Sequence, residues 1–177
     1  EHYGTQGTLK WAIAGRSEAK LAALRNSLGL AAGRLPLLVA DAADEAALRH
    51  LCNGTRVVIS TVGPYALYGE PLVKVCAETG TDYCDLTGEV QWIRRMIEAY
   101  EPVARKSGAR IVHCCGFDSI PSDLGVYFLQ QQARKRFGAP CTTVKMRVKA
   151  VRGGFSGGTA ASLVNVVKEA TANPALR

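Results

Sequence analysis

The chain has 177 residues, of which 47% are hydrophobic, and carries a formal charge of +7 at pH 7. This length suits one or two globular domains with a buried core. No apolar run approaches the roughly 18 residues that cross a bilayer, and the first residues lack the order of a secretory signal. We therefore expect a cytoplasmic protein without a transmembrane segment, and peripheral contact with a membrane or lipid stays open.

The positive charge does not by itself predict nucleic-acid binding. Basic residues are spread along the chain, and the densest cluster, Arg134 to Arg136, falls in a predicted last helical turn, where cations complement the helix dipole. The six cysteines lack paired CxxC spacing, which favours reduced, buried thiols over disulfides or a metal site. Cys114 and Cys115 could be reactive, or could simply pack in the core.

Strand and helix patterns alternate in chain order. The strands are predicted at 9–14, 35–40, 56–61, 81–86 and 110–115. Helices are predicted from Ser17 to Leu28, from Asp44 to Cys52, over 70–78, over 89–106 and from Pro121, the last with Leu124, Tyr127 and Phe128 facing inward. Single helices between strands predict parallel pairing through right-handed crossovers. The fold class is therefore α/β, with fully buried strands in a Rossmann-type doubly wound parallel sheet.

The pattern changes after Pro140. Residues 141–151 alternate between apolar and polar, which predicts a strand with one solvated face. The segment Gly153 to Thr159 predicts a loop towards the cofactor crevice, and a helix follows over 161–172. We divide the chain into a nucleotide-binding domain over 1–140 and the start of a second, substrate-side α+β domain over 141–177.

Three predicted strands end in turns that contain glycine. These turns are Thr61 to Tyr65, Thr87 to Glu89 and Gly116 to Ser119. In a parallel α/β sheet, ligands lie outside the carboxyl ends of the strands. The three turns therefore predict one wall of a nucleotide site.

No G-x-G-x-x-G turn occurs in the sequence, although a dinucleotide fold opens with a strand, such a turn and a helix. We interpret the chain as an internal portion of a longer protein that lacks its first strand. In the strand order 3-2-1-4-5-6 that strand is central, so its absence leaves two inner edges unpaired. The alternative is a different α/β topology that is complete as written.

Several motifs, in order, resemble the saccharopine dehydrogenase-like oxidoreductases. They are Thr61 to Tyr65, Tyr68 to Pro71, Asp85 to Glu89, Cys115 to Gly125 and Gly157 to Thr159. Within that family the chain most resembles the bacterial branch that includes trans-acting enoyl reductases, which act beside polyketide synthases on acyl chains of complex lipids. The resemblance implies an NAD(P)-dependent oxidoreductase, whereas the family's N-terminal glycine-rich turn has no counterpart in these residues.

The end of the first predicted strand favours NADP over NAD. An NAD site places an acid where this chain has Gly15, Arg16 and Ser17. Arg16 offers a planar fork to a 2′-phosphate, and Ser17 adds a hydroxyl or a helix-terminal amide. Alternatively, Arg16 is a surface residue and Ser17 is only a helix cap. Asp41 either reaches the adenine or holds a local turn.

The remaining candidates follow the later strands. Thr61, Val62, Gly63 and Pro64 are predicted to contact the nicotinamide half, and Gly88 and Gly116 to line the same crevice. Tyr65 could stack on a ring, donate a proton or only pack, and Asp118 is either an acid or part of a helix-entry turn. Glu89 could line the crevice or start its own helix. No metal is expected.

Three function classes stay open. The first is an NADP-linked oxidoreductase, such as an enoyl reductase that acts on a lipid or polyketide intermediate. The second is a non-catalytic nucleotide-binding partner of a lipid-synthesis enzyme, and the third is a saccharopine-type amino-acid dehydrogenase. The expected partners are a small-molecule or acyl-chain substrate and a polyketide synthase, and a homodimer through the second domain is a further possibility.

Overall fold

A computed structural model describes residues 7–29, 33–150, 152–154 and 157–172. These ranges contain five strands and seven helices. They are β1 (Ile13–Gly15), α1 (Glu18–Ser27), β2 (Leu37–Val39), α2 (Glu45–Asn53), β3 (Val57–Ser60), α3 (Tyr65–Tyr68), α4 (Glu70–Thr79), β4 (Asp82–Asp85), α5 (Val90–Ser107), β5 (Ile111–Val112), α6 (Ile120–Phe137) and α7 (Gly157–Ala172). In this order, α3 is followed directly by α4 and α6 by α7.

The strands form two parallel sheets with flanking helices. One sheet has the order β1-β2 and the other the order β3-β4-β5. Among the described residues, β1 pairs only with β2, and β3 only with β4, so each of these strands keeps one edge unpaired. The arrangement is Rossmann-like, which confirms the predicted α/β class.

The helix ends follow local chemistry. Ser17 and Asp44 lie at the N-caps of α1 and α2, where their side-chain oxygens accept backbone N–H bonds. Gly80, Gly108 and Gly138 close α4, α5 and α6 with φ values of 75°, 84° and 75°. These values lie in the left-handed region that glycine adopts without strain, so the helices end close to where the sequence predicts.

The core lies between the β3-β4-β5 sheet and helices α2, α4 and α5. Val73, Val75, Cys76, Tyr83 and Trp92 are almost completely buried there. Cys52 and Cys76 are buried with their Sγ atoms 3.6 Å apart, and all six cysteines are free thiols. The free thiols agree with the expectation that the cysteines are reduced. Because Cys141 is exposed, the expectation that they are buried holds for only some of them.

The expectation that the strands are fully buried is wrong. Ile59, Cys84 and Val112 occupy neighbouring register positions, and Ile59 and Val112 are 69% and 51% exposed. Successive side chains of a strand point to opposite faces, and Val58, Tyr83 and Ile111 take the core side. The sheet is therefore covered on one face and open on the other in the described part of the chain.

Two predictions about the later segments are also wrong. Leu124, Tyr127 and Phe128 of α6 are 55%, 64% and 61% exposed, because the apolar residues of α6 do not form one buried stripe and only Ala133 is buried. Residues 141–150 form no strand, since a strand needs a pairing partner and none of the described strands pairs with them. Instead, the Gln130 side chain binds the backbone N–H and C=O of Cys141. Residue 151 lies outside the described residues.

The predicted helix over 161–172 is present as α7, which begins four residues earlier. Within the described ranges, no helix combines the length and the apolarity that a bilayer crossing requires.

Candidate functional site

The carboxyl ends of β3, β4 and β5 lie side by side because the three strands are adjacent and parallel. The loops that follow them meet at this edge, which we call the rim. The N–H of Leu86 donates to the Tyr65 hydroxyl at 3.2 Å, and the N–H of Cys115 donates to the Asp85 carbonyl at 2.7 Å. The turns that contain Pro64, Gly88 and Gly116 therefore belong to one site.

The first rim loop contains five of the predicted site residues. Thr61 and Val62 are exposed, Gly63 is half-buried and Pro64 is buried, with a cis peptide bond between Gly63 and Pro64. The N–H of Val62 donates to the Ser60 hydroxyl at 3.4 Å. Backbone and side chains of Thr61 and Val62 are thus presented to the rim, where a ligand can reach them.

Tyr65 is buried at the base of this loop. Its hydroxyl donates to the Ser60 carbonyl at 3.1 Å, and the centroid of its ring lies 5.5 Å from the ring centroid of Trp92. Burial raises the pKa of Tyr65, and the Leu86 N–H bond opposes this rise only in part. The neutral phenol therefore joins the ends of β3 and β4.

Glu89 occupies the N-cap position of α5, but its side chain does not cap that helix. Its carboxylate accepts the N–H groups of Tyr65 at 2.8 Å and Ala66 at 2.9 Å, which are the first two residues of α3. It also accepts the Ser162 hydroxyl of α7 at 2.8 Å. A carboxylate stabilises a helix N-terminus electrostatically, and the Glu89 carboxylate lies at the N-terminus of α3 instead of that of its own helix α5.

Asp85 holds the second and third rim loops together. It is completely buried, and its carboxylate accepts the Thr87 N–H, the Cys114 N–H, the Tyr83 hydroxyl and the Nδ1–H of His113, the last at 2.7 Å. Four donors, one of them an imidazole, satisfy the oxygens of this buried carboxylate. Asp85 and His113 are not among the site residues that the sequence predicts.

The third rim loop turns sharply after β5. Cys114 has a φ of 59°, and burial raises the pKa of its thiol, with the Asp85 and Asp118 carboxylates adding to the rise. Gly116 is buried, and a Cβ there would lie 2.8 Å from the Asp118 carboxylate oxygen. Asp118 itself is exposed at the rim, whereas Gly88 faces open space. The Cys114 thiol is held neutral, which makes it a poor nucleophile.

The remaining cofactor candidates lie at the carboxyl ends of β1 and β2, on the other sheet. The Ala40 N–H donates to the Gly15 carbonyl at 3.1 Å, which places Arg16 and Asp41 on neighbouring strand ends. The Asp41 carboxylate accepts the Ala43 N–H at 2.9 Å in a local turn. Ser17 accepts the Lys20 N–H at 3.4 Å as the cap of α1.

These residues fit a phosphorylated ribose. Arg16 is exposed and forms no ion pair with any described residue, so its guanidinium fork is available to a phosphate. The Ser17 hydroxyl accepts its capping bond and so retains its own proton for donation. Because α1 begins directly after Ser17, its unpaired N–H groups also favour an anion at this position.

Comparison with known proteins agrees with this geometry. The family model of the saccharopine dehydrogenase NADP-binding domain matches residues 2–112. Among solved structures, the apo saccharopine dehydrogenase (L-Glu forming) of Saccharomyces cerevisiae superposes with a TM-score of 0.56 at 25% identity. That match covers 70% of this chain and 25% of the yeast chain.

Two mycobacterial relatives are more similar in sequence. A protein of Mycobacterium tuberculosis, provisionally named a trans-acting enoyl reductase, is 46% identical over 171 residues, which are 97% of this chain and 41% of the relative. The trans-acting enoyl reductase of Mycobacterium ulcerans is 42% identical over 164 residues, 92% of this chain and 39% of the relative. The chain thus spans about two fifths of their length. Because the family model matches more than half of the chain, the chain belongs to the saccharopine dehydrogenase family and includes that family's NADP-binding domain.

Proposed function

We propose that this chain is the NADP-binding part of an oxidoreductase that reduces an activated carbon–carbon double bond of a lipid or polyketide intermediate. The observation that carries the proposal is the pair of strand-end sites. One is Arg16, which has no ion-pair partner among the described residues and lies beside the N-terminus of α1, and the other is the set of three hydrogen-bonded loops of the rim. The names of the mycobacterial relatives support the reaction.

NADPH, when bound, supplies the hydride, and the protein binds and orients it. In this proposal, Arg16 and Ser17 hold the 2′-phosphate, Gly15 permits close approach and Asp41 borders the adenine. Thr61, Val62, Gly63 and Pro64 contact the nicotinamide half, and Gly88 and Gly116 line the crevice.

Asp118 is the better placed of the two catalytic candidates. It is exposed at the rim, and its carboxylate accepts no hydrogen bond from a described residue. The Tyr65 hydroxyl would first have to release the Ser60 carbonyl, since it already makes two backbone hydrogen bonds. We therefore assign proton transfer to Asp118 and the support of the rim to Tyr65.

An acyl substrate carried by a separate enzyme, such as a polyketide synthase, suits the words trans-acting in the relatives' names. Turnover of a trans-2-enoyl thioester by the full-length protein, measured as NADPH oxidation with trans-2-dodecenoyl-coenzyme A, tests this substrate class. Oxidation of saccharopine with NADP would favour an amino-acid dehydrogenase instead. Tight NADPH binding without either reaction would favour a non-catalytic nucleotide-binding partner.

The cofactor assignment is tested by fluorescence titration of the full-length protein with NADPH and NADH. We expect Arg16→Ala to weaken NADPH binding about tenfold or more, because a hydrogen-bonded charge is lost, and to leave NADH binding unchanged. Arg34→Ala is the matched control, since Arg34 is exposed and precedes the amino end of β2. Equal affinity of the wild type for both nucleotides would contradict the role of Arg16, and absence of binding would contradict the proposed function.

A further inference from the structure

Helix α7 is joined to the first rim loop through one buried carboxylate. Glu89 is 3% exposed, and its Oε1 accepts both the Tyr65 N–H and the Ser162 hydroxyl, each at 2.8 Å. Its Oε2 accepts the Ala66 N–H at 2.9 Å. One side chain from the start of α5 thus ties together α3 and α7, which are about 90 residues apart in the chain.

The tie places α7 directly over the turn that is predicted to contact the nicotinamide. A Cβ at Gly63 would lie 3.5 Å from the Ser162 hydroxyl oxygen. Next to this contact, an open groove of about 450 Å³ runs between α3 and α7, and Pro64, Tyr68 and Val164 are among its lining residues. The turn and α7 therefore form two sides of one groove.

Helix α7 is lightly packed in the described part of the chain. No residue of α7 is buried. The ion pair between Arg95 and Glu169 has a separation of 3.9 Å and is partly exposed, so solvent screens it. Glu89 has no cationic partner among the described residues, and a buried carboxylate depends on its hydrogen-bond donors. The Ser162 hydroxyl is therefore a principal link between α7 and the rim.

We propose that Glu89 and Ser162 are positioning residues that fix α7 against the Gly63–Pro64 turn, so that α7 forms the substrate-side wall of the nicotinamide site. This inference rests on the proposed function, because it assumes that the nicotinamide lies at that turn. A cofactor that orders the turn then also orders α7 through Glu89.

The test is hydrogen exchange of the α7 amides in the full-length protein, with and without NADPH. In the wild type, we expect NADPH to slow the exchange of α7. In Ser162→Ala, we expect basal exchange of α7 to rise about tenfold or more and the slowing by NADPH, added at a concentration that saturates the variant, to disappear. Ser162→Thr retains the hydroxyl and is expected to restore both properties.

Thr171→Ala is the matched control on the same helix, because the Thr171 hydroxyl donates to the Val167 carbonyl within α7 and to no other described residue. Unchanged α7 exchange in Ser162→Ala, or an equal rise in Thr171→Ala, would overturn the proposal. NADPH that binds without slowing the exchange of α7 in the wild type would also overturn it. Failure of NADPH to bind removes the proposed function instead, and the basal exchange of Ser162→Ala then still decides whether the tie exists.

Discussion

At the residue scale, Asp85 combines complete burial with four hydrogen-bond donors. We expect Asp85→Asn to lower the free energy of unfolding by about 3 kcal/mol, because the new amide group would face N–H donors inside the protein. Urea denaturation measures the change, and Asp123→Asn on the exposed surface of α6 is the control. A loss no larger than that of the control would show that the donors find other partners.

The pairing of Asp82 with Arg110 makes the stability of the fold depend on pH in the acid range. Hydrogen bonds from the side chain and the backbone N–H of Arg110 lower the pKa of Asp82 to about 2. A carboxyl whose pKa is depressed in the folded state stabilises the fold above its unfolded pKa of about 4 and loses this contribution as the pH falls through the folded value. Asp82→Asn should therefore flatten the decline in stability between about pH 4 and pH 2.

Thermal unfolding of both proteins at pH 2, 3, 4 and 6 measures this effect. The difference between wild type and Asp82→Asn is expected to be largest at pH 6 and to shrink towards pH 2. A constant difference across this range would contradict the role of the Arg110 pair.

The sequence predicts which loops meet at the rim but not which side chains turn inward there. Glycines after strands identify the turns at Gly63, Gly88 and Gly116. Asp85 and His113 were missed because their contact depends on the register of two strands, in which Cys84 pairs with Val112. An acid and a histidine one residue beyond that pair were the available signal, but it can be interpreted only once the register is known.

At the scale of elements, Gly69 is required by a close approach. It lies between α3 and α4, and a Cβ there would lie 2.6 Å from Cζ2 of Trp92 and 2.8 Å from the Tyr65 carbonyl. We expect Gly69→Ala to destabilise the fold by about 2 kcal/mol or more, because the buried indole cannot move away without repacking.

Gly125→Ala is the contrasting substitution. Gly125 lies within α6, and a Cβ at this position would contact nothing within 4 Å. Alanine in a helix interior is favoured over glycine, so stability should rise by about 0.5–1 kcal/mol. Chemical denaturation of the two variants in parallel measures both changes, and equal effects would contradict the steric explanation for Gly69.

The element boundaries were predictable where capping residues determine them. Ser17, Asp44 and the glycines after α4, α5 and α6 mark helix ends by local chemistry alone. The segment 141–150 was not predictable in this way, since alternation of apolar residues indicates a strand only if another strand pairs with it. The prediction that Leu124, Tyr127 and Phe128 of α6 face inward was wrong for a similar reason. Burial of a helix face depends on what packs against it, and the sequence of the helix does not specify that partner.

At the scale of the whole molecule, alternating strands and helices predict parallel pairing, and both sheets are parallel. Among the described residues, the division into two sheets leaves one edge of β1 and one edge of β3 without a partner, as expected. The open face of the β3-β4-β5 sheet was not foreseen, because strands that are buried on both faces and strands that are buried on one face can both be rich in β-branched residues.

That open face predicts association of the 177-residue chain. Ile59 and Val112 lie in register on it, and exposed apolar surface of this kind tends to be buried against another molecule. Ile59→Lys should weaken self-association about tenfold or more, since one large side chain no longer contributes apolar burial. Sedimentation velocity over a range of concentrations measures the association, and Thr142→Lys adds the same charge at an exposed position outside the sheet. Equal weakening by both variants would mean that net charge, rather than the apolar face, controls association.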